Sequence, residues 1–219
     1  MSTDPHEPGS PPDRIVKAAR RLYFSQPVAT VSTDLLAREA SVSKTTLYKY
    51  FPDTDDVLRA VVEGEAARFE AGVPTTVDGP DALCDALVQY GARLLGFLNE
   101  PEILQFGRLM HEEARTHPDV ARTFYDAAYG RTHARLAALI GQGLTAGYLR
   151  SSLTSAELAE QLIGMWEGPA YVRAQLALTD RPFEDPEDWA AKCVATLFGK
   201  TTELDQEKGK GVLATSSPK

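Results

Sequence analysis

Twelve consecutive residues, Ala40 to Phe51, combine side chains whose chemistry suits contact with nucleic acid. They read ASVSKTTLYKYF and include two Lys, two Thr and two Tyr. A lysine ammonium can neutralise a phosphate or bond guanine, and a threonine can bond a base edge or touch a thymine methyl group. Tyrosine hydroxyls can reach phosphate oxygens. The segment predicts a small surface for double-stranded DNA, although the whole chain carries a net charge of −8.

The charge is divided unevenly along the chain. Residues 1–51 hold seven Lys or Arg against five Asp or Glu, a net charge of +2, which leaves 16 basic and 26 acidic residues, or −10, in the remainder. A mildly basic end on an acidic body is typical of a nucleic-acid reader with a separate regulatory body, although many ordinary proteins share this asymmetry.

A short helix must hold the polar side chains on one face. Leu47 and Phe51, four residues apart, share the inward face of a helix predicted over 44–50, so the Lys, Thr and Tyr side chains project away from it. Ser43 can accept hydrogen bonds from the free N–H groups at the start of that helix. Pro52 closes it.

Two further helices complete a helix-turn-helix unit. One is predicted from a Ser32 cap to about Ala40, and Val42 in the following turn can plug the space between the two short helices. A supporting helix over 12–26 precedes them and is ended by Pro27, which cannot donate into another turn. In such units the second short helix enters the major groove of DNA.

The rest of the chain has apolar residues at spacings of three and four and no strand alternation, so the predicted fold is all-α with about nine helices. Thr54 and either Thr154 or Ser155 are predicted helix caps. The Pro, Gly and Ser of residues 1–11 and the polar residues 200–219 predict disordered tails. The later helices are predicted over 55–71, 80–99, 101–116, 118–147, 155–179 and 186–198.

Composition excludes several classes of protein. No run approaches the eighteen apolar residues of a membrane span, and the first residues lack the pattern of a signal peptide, so a cytoplasmic protein without membrane contact is predicted. Cys84 and Cys193 are too few for a disulfide framework or a Cys-rich zinc site and are interpreted as small buried apolar residues. No cofactor is predicted.

An enzyme is a second hypothesis, raised by the run HEEARTH. Its two histidines, His111 and His117, are six residues apart, which places them about 120° apart around a helix. The zinc-protease motif needs two histidines four apart on one face, and no Gly-rich phosphate loop or nucleophile elbow accompanies them. The sequence therefore predicts no catalytic residue, no metal site and no enzyme.

The run IVKAARRLYF...STDLLAREASVSKTTLYKYFPDTDDVLRAVV, within Asp13 to Val62, resembles the DNA-binding domain of the TetR family of transcriptional regulators. REASVSKTTLYKYF is similar to that family's signature, an Ala-Gly-Val-Ser turn before a short recognition helix ending Tyr-x-x-Phe. The resemblance implies phosphate, base and backbone contacts to DNA from Ser32, Thr33, Ser43, Lys44, Thr45, Thr46, Tyr48, Lys49 and Tyr50.

Three positions depart from the family pattern. Ser41 stands where the turn usually has Gly, and a left-handed backbone there would be strained for serine. Pro27 replaces the Gly that usually follows the first helix. Thr54 stands where a Lys often opens the fourth helix, which removes one expected phosphate contact although Thr54 can still cap.

The acidic part is similar to the subgroup with an AefR-like C-terminal domain. Four segments carry this resemblance: Glu113-Ala114-Arg115, Pro118, Phe124-Tyr125 and Gly147-Tyr148-Leu149. It implies a helix-turn-helix domain over 12–52 and a ligand-binding and dimerisation domain over 53–199. It also implies a dimer that binds a pseudo-palindromic operator and is released by a small-molecule effector. An activator of the same fold, or a helical protein-binding adaptor with a decayed DNA-binding domain, are the alternatives.

The last two predicted helices, 155–179 and 186–198, carry more apolar surface than one packing face needs. Paired across a two-fold axis, they would form a four-helix bundle between two copies of the chain. The alternative is that they cover the core of their own subunit. The apolar residues are Leu158, Leu162, Met165, Trp166, Tyr171, Leu176, Leu178, Trp189, Cys193, Val194, Leu197 and Phe198.

A pocket for the effector is predicted among aromatic and polar residues of the second domain. For each of them ordinary core packing is the alternative, and His111 stands out because a titratable ring on a mainly apolar helix needs a partner. The candidates are Tyr90, Phe97, Phe106, Met110, His111, Phe124, Tyr125, Tyr129 and Trp166.

Overall fold

Local sequence signals set the helices of the chain, and the computed structural model describes residues 8–199. Within that range every regular element is helical, in agreement with the predicted all-α fold. Residues 1–7 and 200–219, where most of the two predicted disordered tails falls, lie outside the described residues. The helices are α1 (Pro11–Tyr23), α2 (Thr33–Glu39), α3 (Lys44–Tyr50), α4 (Thr54–Glu70), α5 (Pro80–Leu98), α6 (Pro101–Glu113), α7 (Pro118–Tyr125), α8 (Arg131–Ala146), α9 (Ser155–Gln175) and α10 (Pro186–Leu197).

Side-chain caps define several helix starts. The predicted caps Ser32 and Ser43 accept from the N–H groups of residues 35 and 46, and Thr154 forms a capping box with Glu157. The prediction for α4 is wrong by one residue, because the Asp53 carboxylate accepts the Asp56 N–H and Thr54 is already helical. An Asp at this position also complements the positive end of the helix dipole.

Three predicted helices differ in detail. The first ends at Tyr23 rather than 26, because the chain turns over residues 24–26 before Pro27. The long helix predicted over 118–147 is continuous, but the π-helical turn Asp126–Gly130 separates α7 from α8. The helix predicted over 155–179 ends at Gln175 and is kinked, since Gly168 adopts φ 43° and ψ −156° and Pro169 follows inside α9.

Two hydrophobic clusters build the interior. One joins α1–α3 to the first half of α4, through residues such as Ile15, Leu47 and Leu58, all fully buried, and it also includes side chains of α6. The other joins the second half of α4 to α5–α10 around Leu87 and Trp166. Helix α4 contributes to both clusters. It therefore connects the N-terminal unit, which is α1–α3, to the larger helical body, which is α5–α10.

The packing of α5, α9 and α10 depends on one glycine. A Cβ on Gly91 would lie 2.5 Å from the Trp166 ring and 2.9 Å from the Cβ of Ala190. The indole is fully buried against α5, so its volume fills the core of this subunit. Along residues 8–199, no helix combines the length and the apolar character needed to cross a membrane.

Candidate DNA-binding surface and effector cavity

The geometry of α2, the turn and α3 is held by apolar anchors beneath polar side chains. Leu36 and Leu47 are fully buried, and Val42 in the turn is half-buried against the same cluster, as the sequence predicts. Phe51 packs against it at the end of α3. The anchors orient the opposite face of α3 toward solvent.

Six of the nine residues predicted to contact DNA are exposed on α2, α3 and the residues that cap them. The Tyr48 hydroxyl is 3.4 Å from Thr33 Oγ1, so the surfaces of α2 and α3 are continuous. Thr33, Thr46 and Tyr50 are half-buried. The exposed members are Ser32, Ser43, Lys44, Thr45, Tyr48 and Lys49.

An ion pair that sequence reasoning missed lies at the start of the recognition helix. Lys44 Nζ is 2.5 Å from Asp34 Oδ1 on α2. The hydrogen bond and the charge of Asp34 raise the pKa of Lys44 above its ordinary value. Both groups are more than half exposed, so the pair is open to water and to exchange with a phosphate. Asp34 and Lys44 are ten residues apart in the sequence, so the i, i+4 spacing that indicates an ion pair within one helix does not occur here.

The turn between the two helices has the left-handed residue expected from the family pattern. Ser41 has φ 53°, and the Val42 N–H donates to Ala37 O at 2.9 Å to close the end of α2. Arg14 Nη1 on α1 lies 3.5 Å from Ser41 O. A non-glycine residue in this conformation costs on the order of 1 kcal/mol, which the surrounding packing offsets.

A cavity of about 350 Å³ lies between α4, α5, α6, α9 and the α7–α8 junction. Its walls are mainly apolar, and its polar groups include Glu65, Thr132, His133, Glu160 and Glu167. Such a volume and lining suit a small organic ligand. Its aromatic rings come from Phe24, Phe69, Phe97, Phe106, Phe124, Tyr125, Tyr129 and Tyr171.

Five of the nine predicted effector residues line this cavity: Phe97, Phe106, Phe124, Tyr125 and Tyr129. Tyr90 and Trp166 are fully buried outside it, and the Tyr90 hydroxyl donates to Glu70 Oε1 at 3.2 Å. Met110 and His111 line a more open cleft, which shares Phe124, Tyr125 and Tyr129 with the cavity. The His111 Nδ1 is 2.7 Å from Gly107 O, so its ring has the expected partner, although its residue is exposed.

Three polar residues of the cavity form one group, and two of them, Glu167 and Tyr171, were not predicted to line it. Tyr129, Glu167 and Tyr171 come from the π-helical turn and from both sides of the α9 kink. Burial raises the pKa of Glu167 to about 7 and, with the nearby Glu167 charge, that of Tyr129 to about 12. Burial also raises the pKa of Tyr171 far above its ordinary value. The dipeptide Gly168-Pro169, a helix-breaking signal, could have drawn attention to this segment.

The cavity also touches the DNA-binding unit. Phe24, directly after α1, lines it and stacks on Phe106 of α6 with ring centroids 4.5 Å apart and planes 8° apart. The Arg20 guanidinium lies 4.4 Å from the centre of the Phe24 ring. A molecule in the cavity would therefore contact the end of α1 directly.

Polar contacts tie the same two parts together beside the cavity. Arg20 Nε is 2.6 Å from Glu65 Oε1 on α4, and Arg20 Nη2 is 3.0 Å from Glu102 Oε2 on α6. The Ala29 N–H donates to Oε2 of the buried Glu113 at 3.2 Å. These polar contacts fasten the N-terminal unit to α6 at two places, in addition to the Phe24–Phe106 stack.

The predicted dimer helices divide into a buried and an exposed set. Leu158, Leu162 and Trp166 pack inside their own subunit, as do Cys193 and Val194. The exposed set lies on the second part of α9, in the turn after it and on α10. It consists of Val172 (57% exposed), Leu176 (65%), Leu178 (70%) and Trp189 (44%).

The HEEARTH run does not assemble a metal site. His117 precedes α7, where its Nδ1 is 3.0 Å from Thr116 Oγ1, while His111 bonds within α6. Residues 8–199 contain no group of three or more His, Cys, Asp or Glu that could hold a metal ion. Cys84, predicted to be buried, is only half-buried.

Family comparisons agree with this two-part arrangement. The model of bacterial regulatory proteins of the tetR family matches residues 15–61, and the model of the AefR-like transcriptional repressor C-terminal domain matches residues 85–200. The chain belongs to the TetR family of transcriptional regulators, as its sequence motifs predict. Members of this family bind DNA and small-molecule ligands and act as dimers.

Individual relatives cover different shares of the chain. The HTH-type transcriptional regulator HbdR of Aromatoleum sp. is 32% identical over 94 residues, so the chain spans only 41% of that relative's length. EthR of Mycolicibacterium smegmatis is 28% identical over 84% of this chain and 80% of its own. The solved structure of the flavonoid-responsive regulator FrrA has a TM-score of 0.69 and 26% identity, covering 88% of this chain and 96% of its own.

Proposed function

We propose that this chain is a repressor that binds a pseudo-palindromic operator as a homodimer and is released from it by a small molecule bound in the cavity. The observation that carries the proposal is the shared wall: Phe24 belongs to the cavity and directly follows α1 of the DNA-binding unit. Repression is favoured over activation by the match to an AefR-like repressor domain.

Release follows from the position of Phe24 and α4. A ligand that separates Phe24 from Phe106 would shift α1 relative to α6, and α4 would carry the shift because it packs in both hydrophobic clusters. The recognition helices of two subunits must lie about one DNA turn apart, so a small rotation of each unit breaks their register. The effect on DNA affinity is limited by the ligand's preference for the shifted form.

The proposed dimer interface is the apolar face of Val172, Leu176, Leu178 and Trp189. Large apolar side chains exposed together mark an interaction surface. A two-fold axis would place each face against its copy. A charge introduced at Val172, as in Val172→Glu, should prevent dimer formation, so sedimentation velocity should detect monomers. A dimer of unchanged affinity would contradict this interface. Since a repressor acts on the chromosome, we place the protein in the cytoplasm.

Operator binding is tested by electrophoretic shift on DNA from the chain's own upstream region, across a salt series. We expect sequence-selective binding that weakens as salt rises, because lysine contacts release counterions from phosphates. Lys44→Ala should lower affinity about tenfold and reduce the salt slope by about one per subunit. Tyr48→Ala should also weaken binding.

The Asp34–Lys44 pair supplies the matched control for this measurement. Asp34→Asn removes the competing carboxylate, so Lys44 is free for phosphate and affinity should rise a few fold with a steeper salt slope. In the Lys44→Ala background the same change should have a smaller effect. Wild-type protein that shows no selective, salt-sensitive binding would point instead to the helical adaptor with a decayed DNA-binding domain.

A further inference from the structure

The charge of the cavity wall is one-sided. Its described lining includes the carboxylates of Glu65, Glu160 and Glu167, but neither Lys nor Arg, and His133 is the single basic side chain among those residues. A carboxylate or phosphate on a ligand would meet repulsion and would find no guanidinium or ammonium in this lining. The wall therefore disfavours anionic ligands.

Two of the three carboxylates already have partners. Glu65 accepts from Arg20 at 2.6 Å and from Arg68 at 2.9 Å. Glu160 is 82% exposed and lies 3.7 Å from His133. Glu167 differs, because among residues 8–199 no Lys, Arg or His forms an ion pair with it, and burial alone accounts for its raised pKa.

The aromatic walls suit a positive charge as well as apolar groups. The face of an aromatic ring attracts cations within about 6 Å of its centre. Two rings of this cavity already have a guanidinium within that distance, since Arg20 lies 4.4 Å from the Phe24 centroid and Arg68 lies 5.1 Å from that of Phe97. Tyr129 and Tyr171 add rings and hydroxyls near Glu167.

The backbone fixes Glu167 at this place. It is the last residue before Gly168, whose φ of 43° and ψ of −156° belong to a region open almost only to glycine, and Pro169 prevents the helix from closing over the break. The segment after the kink carries Val172 and Leu176 of the proposed dimer face. A ligand held by Glu167 would thus act at the joint between the two halves of α9.

We propose that the cavity selects hydrophobic cations, such as aromatic amines or quaternary ammonium compounds, with the Glu167 carboxylate as the counter-ion and the surrounding aromatic rings as the walls. This inference rests on the proposed function, in which the cavity holds the effector. It specifies that the effector is positively charged and that Glu167 is the residue that recognises this charge.

The test uses two probes of the same shape, 1-naphthylmethyl-trimethylammonium and its neutral carbon analogue, 1-(2,2-dimethylpropyl)naphthalene. Binding to the full-length protein is measured by titration calorimetry at pH 8, with 1-naphthol and 1-naphthoate as neutral-donor and anionic probes. We expect the cation to bind at least about tenfold more tightly than the carbon analogue. Glu167→Gln should remove this preference and leave the affinity for the carbon analogue within about twofold.

Glu112→Gln is the matched control, because Glu112 is an exposed carboxylate of α6 outside the cavity lining. It should keep the preference for the cation. The wild-type preference should also fall as the pH drops below 7, where Glu167 becomes neutral. This pH dependence should be weaker in Glu167→Gln, which keeps the other titratable groups of the lining, Glu65, Glu160 and His133. Circular dichroism and operator binding without probe verify that the variants are folded.

Equal affinity for the cation and its carbon analogue, or tighter binding of naphthoate or naphthol, would overturn the inference. So would a preference for the cation that survives Glu167→Gln. None of these results concerns operator release itself. A neutral or anionic compound that binds and releases the operator would refute the cation selectivity while supporting the ligand-responsive repressor.

Discussion

The DNA-binding surface and the effector cavity place their charged groups in opposite environments. On the DNA-binding surface, Lys44 and Asp34 are both largely exposed, so their ion pair is weak and can be exchanged for a phosphate. In the cavity, Glu167 has no cationic partner among the described residues and sits among aromatic rings. An exposed charge favours fast, salt-sensitive contact with DNA, whereas a desolvated charge discriminates strongly between ligands.

The largest expected effect is on the stability of the N-terminal unit. It distinguishes the buried residues that support the DNA-binding surface from the exposed residues that contact DNA. Leu47→Ala removes a fully buried side chain from the cluster beneath α3 and should destabilise the N-terminal unit by about 3 kcal/mol. Hydrogen exchange of the α2 and α3 amides in urea measures this loss. DNA binding should fall with it, because the recognition helix loses its support.

Thr45→Ala on the exposed face of the same helix is the control. Its effect on stability should stay within about 0.5 kcal/mol, while operator affinity still falls. If Thr45→Ala destabilised the unit as much as Leu47→Ala, the division between anchoring and contacting residues would be wrong.

The next effect concerns the cavity and the pH dependence of stability. The folded pKa of Glu167, about 7, lies above the ordinary value of 4.5, so the folded state keeps a proton that the unfolded chain loses. Stability should therefore fall as pH rises from about 4.5 to about 7 and stay lower above that. Glu167→Gln lacks this loss and should be more stable than the wild type at pH 8 by about 2 kcal/mol, with little difference at pH 4.5.

Urea unfolding at both pH values measures that difference, and Glu112→Gln should show none of it. The other titratable groups of the cavity lining are Glu65, Tyr125, Tyr129, His133, Glu160 and Tyr171, which both proteins share, so their contributions largely cancel. If the difference in unfolding free energy between the wild type and Glu167→Gln were the same at pH 4.5 and at pH 8, Glu167 would have to be hydrated in the folded chain.

The two regions also differ in how far the sequence predicts them. The DNA-binding unit depends on contacts within about fifty residues, and its caps, turn and buried Leu47 follow from local spacing. The cavity is formed by α4, α5, α6, α9 and the α7–α8 junction, so no local pattern separates wall residues such as Phe97 from core residues such as Trp166. Glu167 was missed because its environment comes from rings distant in sequence.

The kink in α9 and the cap of α4 also show that local sequence patterns do not determine every detail of a helix. Gly168-Pro169 is visible as a breaking signal, but the apolar spacing on either side of it predicts one continuous helix. The cap of α4 was misplaced because Asp53 and Thr54 can both accept the hydrogen bond, and only the backbone geometry selects Asp53. Long-range packing thus decides which of several locally allowed structures forms.

The smallest expected effect lies in the turn that precedes the recognition helix. Ser41 has φ 53°, a conformation that glycine adopts without strain, so Ser41→Gly should relieve part of a cost of about 1 kcal/mol. Glycine also makes the unfolded chain more flexible, which offsets some of that gain. We expect a net stabilisation of about 0.5 kcal/mol by urea unfolding, with operator affinity within about twofold of the wild type. Ser41→Ala keeps the strain without the hydroxyl and should not stabilise, whereas equal gains from both changes would show that the hydroxyl, rather than the left-handed backbone, is unfavourable here.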